Sequence, residues 1–153
     1  MPKSLGRDSR CSIARTLEVL GERWTLLIVR EAMWGRTRFS EFRESLGIAP
    51  DVLTDRLSTL VEHGVMERRA YRSDGARERA EYRLTPAGEE LRLVLGALNT
   101  WGDRNRPSPS GSAARYVEAA TGEPVELRFV TRDGRQVTTA DVTVERTAVS
   151  QPA

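Results

Sequence analysis

The sequence is poor in the residues that form metal centres and covalent catalytic sites. Its 153 residues include one cysteine, Cys11, and one histidine, His63. A single cysteine excludes a disulfide within the chain, and one thiolate with one imidazole cannot complete a structural zinc site. No Ser/His/Asp set and no glycine-rich phosphate loop is recognisable. We therefore predict a protein that is not an enzyme and that uses no metal or cofactor.

Long apolar runs are also missing. No stretch approaches the roughly 18 consecutive apolar residues of a membrane-spanning helix. The opening residues, MPKSLGRDSR, contain no apolar signal-peptide core. We therefore expect a cytoplasmic protein with no membrane partner. An apolar fraction of 39% in a chain of this length suits one ordinary domain with at most a small appendage.

Lysine is nearly absent, because arginine outnumbers it 23 to 1. Codon bias in a GC-rich genome explains such a count, so the positions of the arginines carry more information than their number. Residues 1–106 carry 19 basic and 16 acidic side chains, a net charge of +3, whereas residues 107–153 carry 5 and 6, a net charge of −1. The densest cluster is RRAYRSDGARERAEYRLT, residues 68–85, with six arginines. A cluster of this kind indicates a negatively charged partner.

Hydrophobic periodicity predicts four helices before this cluster. They are SIARTLEVLG (12–21), RWTLLIVREAMWG (23–35), SEFRESLG (40–47) and IAPDVLTDRLSTLVEHG (48–64). The second helix is apolar on most sides, which is typical of a central core helix. Ser40 is predicted to cap the third helix, while Pro50 and Gly64 suit the first turn and the end of the fourth.

The pattern changes from helical to strand-like after the fourth helix. VMERRAYR (65–72) and AEYRLT (80–85) alternate as two strands, joined through a turn at Asp74-Gly75. Thr85 and Pro86 then form the N-cap and first turn of a long helix. Beyond a linker, the stretch 124–145 predicts a β-hairpin with its turn at Asp133-Gly134.

This order of elements is the layout of a winged helix-turn-helix. The predicted fold class is mainly α with a small antiparallel β-wing (α+β), plus a short C-terminal β-hairpin. We expect four parts along the chain. They are a flexible arm (1–10), a DNA-binding and dimerisation domain (11–106), a linker (107–114) and an extension (115–153) that carries the hairpin and a disordered end.

Five ordered blocks resemble the HxlR family of winged-helix transcriptional regulators across residues 11–104. The blocks are CSIARTLEVLGERWTLLIVRE, RFSEF, IAPDVLTDRLSTLVEHGVMERR, EYRLTPAGEEL and TWGDR. The resemblance implies a cytoplasmic homodimer of bacteria or archaea that binds a near-palindromic operator in double-stranded DNA, often as a repressor. Some members sense electrophiles or oxidants through a cysteine near the N-terminus, and Cys11 occupies that position. Two departures are Ser12, where the family often has proline after the cysteine, and Ala49, where a serine commonly caps the recognition helix.

Predicted DNA contacts fall on three surfaces. Outward residues early in the fourth helix face base edges in the major groove. The entrance of the third helix suits a phosphate, and the ribbon tip suits the backbone or the minor groove. The predicted DNA-binding residues are Arg38, Ser40, Pro50, Asp51, Thr54, Asp55, Arg56, Ser58, Arg72, Arg77 and Arg79.

Several of these residues have a second interpretation. Asp51 lies where the helix dipole favours an anion, so its role can be structural, whereas Asp55 is better suited to accept a hydrogen bond from a cytosine amine. Arg56 lies between the core face and the outer face of the fourth helix. It can donate a hydrogen bond to a phosphate or to a group near Asp55. Arginines further back on the ribbon arms are predicted to pair with neighbouring acids. These are Arg68, Arg69 and Arg83, with Glu67, Glu78 and Glu81 as partners.

The first and last helices carry more apolar surface than a small core needs, which predicts a homodimer. The predicted interface residues are Ile13, Leu17, Leu91, Leu95, Leu98 and Trp101. Cys11, at a helix start beside Arg10 and Arg15, has the surroundings of a sensor thiol, or else is simply a small, partly buried helix-start residue. His63 is predicted to be a C-terminal helix residue and not a ligand.

Two rival functions follow from the same residues. A winged helix that binds only proteins is favoured by the acidic outer face of the fourth helix, but it has no use for arginines concentrated at the ribbon tip. An enzyme with Cys11 and His63 as a nucleophile pair is the weakest alternative.

Overall fold

The computed structural model describes residues 10–71 and 79–145. Five α-helices form within these ranges: α1 (Ser12–Leu20), α2 (Arg23–Met33), α3 (Phe39–Leu46), α4 (Pro50–Glu62) and α5 (Pro86–Asn105). The strands β1 (Met66–Tyr71) and β2 (Arg79–Leu84) pair antiparallel as the wing, and β3 (Phe129–Val130) and β4 (Gln136–Val137) form a short hairpin before a 3-10 helix at Thr139–Asp141. The predicted fold class is confirmed. No helix of the described ranges is long and apolar enough to cross a membrane.

The chain divides into two compact units, and the division falls between Leu98 and Asn99, inside α5. The first unit contains α1 to α4, the wing and α5 as far as Leu98, and the second contains the end of α5 and the C-terminal extension. Most of the predicted flexible arm, all of the turn at Asp74-Gly75 and the last eight residues of the predicted disordered end lie outside the described residues.

The core of the first unit forms around α2. This helix packs against α1, α3, α4 and β2, and its Ile28 and Val29 are fully buried, so the predicted central helix is confirmed. The side of α4 that faces the core carries Leu53, Leu57 and Leu60, each at most 1% exposed. Burying a leucine fully contributes roughly 1.5–3 kcal/mol. This stripe therefore fixes which face of α4 is left for a partner.

The connection from α4 to the wing and on to α5 is closed by backbone contacts. Gly64 ends α4 with φ at +69°, a conformation that favours glycine. The Thr85 hydroxyl donates to the Gly64 carbonyl at 2.5 Å and accepts the Gly88 N–H at 3.2 Å, which confirms Thr85 as the cap of α5. A Cβ on Gly88 would lie 2.2 Å from the Val65 carbonyl oxygen. The Thr-Pro-Ala-Gly segment therefore allows α5 to start directly against the first residues of the wing.

The third helix begins one residue earlier than predicted, so the prediction of Ser40 as its cap is wrong. Arg38 is the N-cap, with extended backbone (φ −98°, ψ 146°), and Ser40 lies exposed in the first turn. Glu41 Oε2 accepts the N–H groups of Thr37 and Arg38, each at 2.9 Å. The hydrogen bonds from Arg38 and then Thr37 hold the pKa of Glu41 below its usual range. The glutamate thus supplies the local hydrogen bonds expected of a capping residue.

The C-terminal hairpin is much shorter than predicted. Only Phe129 pairs with Val137 and Val130 with Gln136, around a turn in which Gly134 has φ +85°. Phe129 is 53% exposed, and the apolar residues just before it are exposed as well. A two-stranded ribbon without a packed face is marginal in water, so the alternating pattern alone does not extend the strands.

Glu31 is a buried carboxylate that joins α2, α3 and the loop between them. Its side chain is 1% exposed. One oxygen accepts hydrogen bonds from the Arg30 guanidinium at 2.5 and 3.0 Å. The other accepts the Ser45 hydroxyl at 2.5 Å and lies 2.8 Å from Arg36. A buried charge needs this number of partners to offset its desolvation.

The partners of Glu31 also decide its protonation. Burial raises the pKa of the carboxyl, but the hydrogen bonds from Ser45 and Arg30 and the charges of Arg30 and Arg36 outweigh burial. The pKa therefore lies below its ordinary value of 4.5. A carboxyl with a lowered folded pKa contributes stability above its unfolded pKa and loses it as pH falls through the folded pKa.

We expect Glu31→Gln to lower the free energy of unfolding by about 1–3 kcal/mol at neutral pH, because charged hydrogen bonds at a buried site are lost. The difference from the wild type should begin to shrink below about pH 4.5, where the unfolded chain binds the proton, and should shrink further as pH falls through the lower pKa of folded Glu31. Urea unfolding at several pH values measures both effects. The exposed Glu44→Gln is the matched control and should change neither. A pH-independent difference for Glu31→Gln would contradict the ionised assignment.

Candidate nucleic-acid interface

α3 and α4 form the helix-turn-helix, with three residues between them. Gly47 ends α3 with φ at +61°, and Ile48, 3% exposed, anchors the turn in the core. Ala49 precedes α4 with extended backbone and no side-chain hydrogen bond, so the cap is missing, as predicted. Pro50 then occupies the first turn. This turn sets the direction in which α4 leaves the core.

The outer face of α4 is polar and accessible. Asp51, Thr54, Asp55 and Ser58 are all exposed, opposite the buried leucines. The Thr54 hydroxyl donates to the Pro50 carbonyl at 2.8 Å, which leaves its lone pairs free to accept from a base amine. The face therefore offers mostly acceptors. It carries little to attract phosphate.

Arg56 and His63 lie beside this face. Arg56 is half-buried, and its Nε has no hydrogen-bond partner among the described residues. His63 is the exposed C-cap of α4, as expected for a helix-end residue. No group of three histidine, cysteine, aspartate or glutamate side chains within residues 10–71 and 79–145 is arranged to hold a metal ion.

Backbone pairing of residues 37–38 with β2 joins the wing to the helix-turn-helix. The Tyr82 N–H donates to the Thr37 carbonyl at 2.7 Å, and Arg38 forms an antiparallel bridge with Glu81. The segment before α3 therefore pairs with β2 on the side away from β1. Within the wing, β1 and β2 pair from Met66 with Leu84 to Tyr71 with Arg79.

Ion pairs on the arms of the wing match the prediction in part. Arg69 lies 2.5 Å from Glu67, and Arg83 Nε lies 2.8 Å from Glu81. The hydrogen bond from Arg83 lowers the pKa of Glu81. Arg68 forms no ion pair with another described residue, and Glu78 lies outside those residues. Exposed pairs of this kind contribute little to stability, so they do not explain why the arms are so basic.

An open cleft of about 400 Å³ lies between the start of α3 and the wing. Its lining residues are Arg38, Phe39, Ser40, Tyr71, Arg79, Ala80 and Tyr82. Three predicted DNA-binding residues, Arg38, Ser40 and Arg79, therefore meet at one place. The predicted wing residues Arg72 and Arg77 lie outside the described residues.

Tyr71 is the cleft residue that the sequence interpretation missed. The Arg38 guanidinium lies over its ring, 5.0 Å from the centroid. The available signal was its position in the strand alternation, opposite Arg79 and near the ribbon tip. Its contact with Arg38 depends on the pairing of residues 37–38 with β2, which no local pattern reveals.

The predicted dimer residues divide into two groups. Ile13, Leu17, Leu98 and Trp101 are 71%, 55%, 49% and 60% exposed. The others, Leu91 and Leu95, are half-buried against the core and so have a role within the subunit. Leu93, 65% exposed, was not among the predicted residues.

Cys11 is the N-cap of α1. Its side chain is exposed, so the expected partial burial is wrong, while its position at a helix start is confirmed. The helix that follows presents Ile13 and Leu17 to solvent within two turns of the thiol. A modification of Cys11 would therefore change the same surface.

Known proteins share this arrangement. A model of the HxlR-like helix-turn-helix matches residues 19–110, a range that begins after Cys11. The HTH-type transcriptional regulator Rv3095 of Mycobacterium tuberculosis is 43% identical over 135 residues, which are 88% of this chain and 84% of the relative. The solved structure of PA1607, described as a transcription factor, has a TM-score of 0.76 at 41% identity over 92% of this chain and 97% of its own. Residues 1–106 cannot make up that share, so the match with PA1607 includes much of the C-terminal extension.

A second solved structure is informative about chemistry. The redox regulator HypR in its reduced form has a TM-score of 0.56 at 30% identity, covering 63% of this chain and 94% of its own. The helix-turn-helix, the wing and these likenesses agree with one another. The chain belongs to the HxlR-like helix-turn-helix family of transcriptional regulators.

Proposed function

We propose that the protein is a homodimeric, sequence-specific DNA-binding regulator that acts as a repressor on a near-palindromic operator in the bacterial cytoplasm. The observation that carries the proposal is the pairing of residues 37–38 with β2, which keeps the wing arginines beside the helix-turn-helix. In this proposal, α4 enters the major groove while the wing follows the backbone or enters the minor groove. The chain is a binding protein and not an enzyme.

The two surfaces divide affinity and specificity between them. The acidic outer face of α4 opposes non-specific binding, because Asp51, Asp55 and Glu62 are exposed and negative. Phosphate affinity must therefore come from arginines such as Arg38 and Arg79. Asp51 lies in the first turn, where the helix dipole favours an anion, so Asp55 is the better reader of a base. The same acidic face would suit a protein partner, and DNA binding decides between these functions.

We expect Arg77→Ala/Arg79→Ala to reduce the slope of log affinity against log salt by up to roughly 1.8, because each separate phosphate contact contributes roughly 0.9, and by less where another arginine holds the same phosphate. Specific and random duplexes should lose affinity alike if both arginines follow the backbone. Fluorescence anisotropy with the DNA upstream of the gene measures this. Arg128→Ala/Arg132→Ala removes the same charge from the C-terminal unit and is the control. An unchanged slope in the wing variant would mean that its arginines are only solvated charge.

Asp55→Ala should behave differently from the wing variant. A base contact contributes about 1–3 kcal/mol of discrimination and little counterion release. We therefore expect a relaxed preference at one symmetric base pair, with random-duplex affinity equal or higher because a negative charge has gone. Competitive binding to single-base operator variants measures the preference. Retention of every base preference would exclude Asp55 as a reader.

We propose that α1 and α5 form the dimer interface, through Ile13, Leu17, Leu98 and Trp101 with Leu93 beside them. Large apolar side chains that are about half exposed or more on neighbouring turns are typical of a protein interface. A two-fold interface would bring each α1 or α5 near its counterpart in the other subunit. A charge introduced on one of these helices would therefore face the same charge across the axis.

We therefore expect Ile13→Glu/Leu17→Glu to shift the protein from dimer to monomer at micromolar concentration and to weaken operator binding. Light scattering and anisotropy on the same samples measure the two effects. Val144→Glu, at a 93% exposed apolar residue of the C-terminal unit, is the control. A wild-type monomer that stays monomeric on DNA would contradict the dimer.

We propose that oxidation or alkylation of Cys11 changes DNA affinity through α1. Its accessible thiol lies on the helix that carries Ile13 and Leu17, and the related HypR is named a redox regulator and is solved in reduced and oxidised forms. As the only cysteine, Cys11 forms a disulfide only with a partner subunit or a small thiol, and the two thiols together give two protons and two electrons to the oxidant. Diamide should therefore change the operator affinity of the wild type and leave Cys11→Ser unchanged. Equal responses of the two proteins would exclude the sensor.

A further inference from the structure

The cleft between α3 and the wing contains two guanidinium groups that pair with no carboxylate of the described residues. Within residues 10–71 and 79–145, neither Arg38 nor Arg79 forms an ion pair. Other arginines of the same wing, Arg69 and Arg83, do pair with glutamates. The cleft therefore holds two cationic groups that form no ion pair with a carboxylate of the described residues, and an anionic ligand could pair with both.

Arg38 is held in place before any ligand arrives. Its backbone is fixed as the N-cap of α3 and by the bridge to Glu81, and its guanidinium lies 5.0 Å from the centre of the Tyr71 ring. The carboxylates of Glu81 and Glu41 interact with the charge of Arg38. Glu81 already accepts a hydrogen bond from Arg83, and Glu41 accepts two from backbone N–H groups. The stacked guanidinium keeps donors that these acids do not use.

The start of α3 adds neutral donors to the same cleft. Phe39 and Ser40 are its first helical residues, so their N–H groups have no partner within the helix. The exposed Ser40 hydroxyl lies beside them. A helix start with arginines on both sides is suited to a tetrahedral anion such as a phosphate diester, which carries one negative charge.

We propose that this cleft binds one phosphate of the DNA backbone, held jointly by Arg38 and Arg79 with Ser40, and that Tyr71 is the positioning residue for Arg38. This inference rests on the proposed DNA-binding function. A shared phosphate joins the first helix of the helix-turn-helix to the base of the wing. It therefore fixes the position of α4 and of the wing on the same strand, which sets the register of reading.

The shared phosphate makes a prediction that independent contacts do not. Arg38→Ala and Arg79→Ala should each weaken binding to the upstream duplex, but the double variant should lose only roughly 0.9 in salt slope. Two separate phosphates would give a loss of roughly 1.8. A set of duplexes, each with one neutral methylphosphonate, locates the phosphate. One position should weaken the wild type and have no effect on the double variant.

Variants of Tyr71 separate positioning from folding. Tyr71→Phe keeps the ring and should keep wild-type affinity and salt slope. Tyr71→Leu should weaken binding roughly 2- to 5-fold, the range of an exposed cation–π contact, and show a smaller response at the same methylphosphonate position. Thermal melting should be equal for the two variants. Arg43→Ala, on the last turn of α3, is the charge control.

The outcomes distinguish this inference from the function on which it rests. Failure of the wild type to prefer the upstream duplex over a random one would overturn both. Wild-type binding with additive slope losses, or with different sensitive positions for Arg38 and Arg79, would overturn only the shared phosphate. Equal affinities of Tyr71→Leu and Tyr71→Phe would overturn the positioning role.

Discussion

The pairing of residues 37–38 with β2 is the constraint on which the whole candidate surface depends. A two-stranded ribbon is marginal in water. Here the Tyr82 N–H donates to the Thr37 carbonyl at 2.7 Å, so a third backbone segment pairs with the ribbon. The paired segment leads directly into α3, whose start is held by Glu41. Buried Glu31 ties the same loop to α2 and α3 through Arg36 and Ser45. The wing and the helix-turn-helix therefore share one support, and a basic ribbon becomes part of a shaped surface.

The charges on this surface separate binding strength from reading. α4 is fixed by its buried leucines and presents acceptors and carboxylates, which repel phosphate unless a base donor compensates. The arginines stand on the wing and at the start of α3, where a helix start also favours an anion. Under the proposed function, an arrangement of this kind binds arbitrary DNA weakly and gains the rest of its affinity from correct bases. It also explains why a net charge of only +2 is compatible with a DNA-binding protein.

Local patterns predicted the elements well, while contacts between distant segments were beyond them. The stripe of Leu53, Leu57 and Leu60 and the Thr85-Pro86 start of α5 follow from periodicity and capping, and the structure confirms both. The extended backbone of Arg38 is stabilised by β2, more than forty residues later, so Ser40 was wrongly expected to be the cap. The role of Glu31 was not predicted, because its partner Ser45 lies on another helix. The contacts of the wing tip and the dimer are still predictions, since no pattern within one chain specifies a partner.

The central claim is that α4 and the wing of two subunits read one symmetric DNA site, and hydroxyl-radical footprinting on the upstream DNA of the gene tests it most directly. The account predicts two segments of protected deoxyribose, one at each half-site, about 10 base pairs apart or a multiple of that distance. It also predicts protection of the flanking backbone at the wing positions, lost when Arg38 and Arg79 are replaced together. Uniform weak protection along the fragment, with equal affinity for a random duplex, would contradict it.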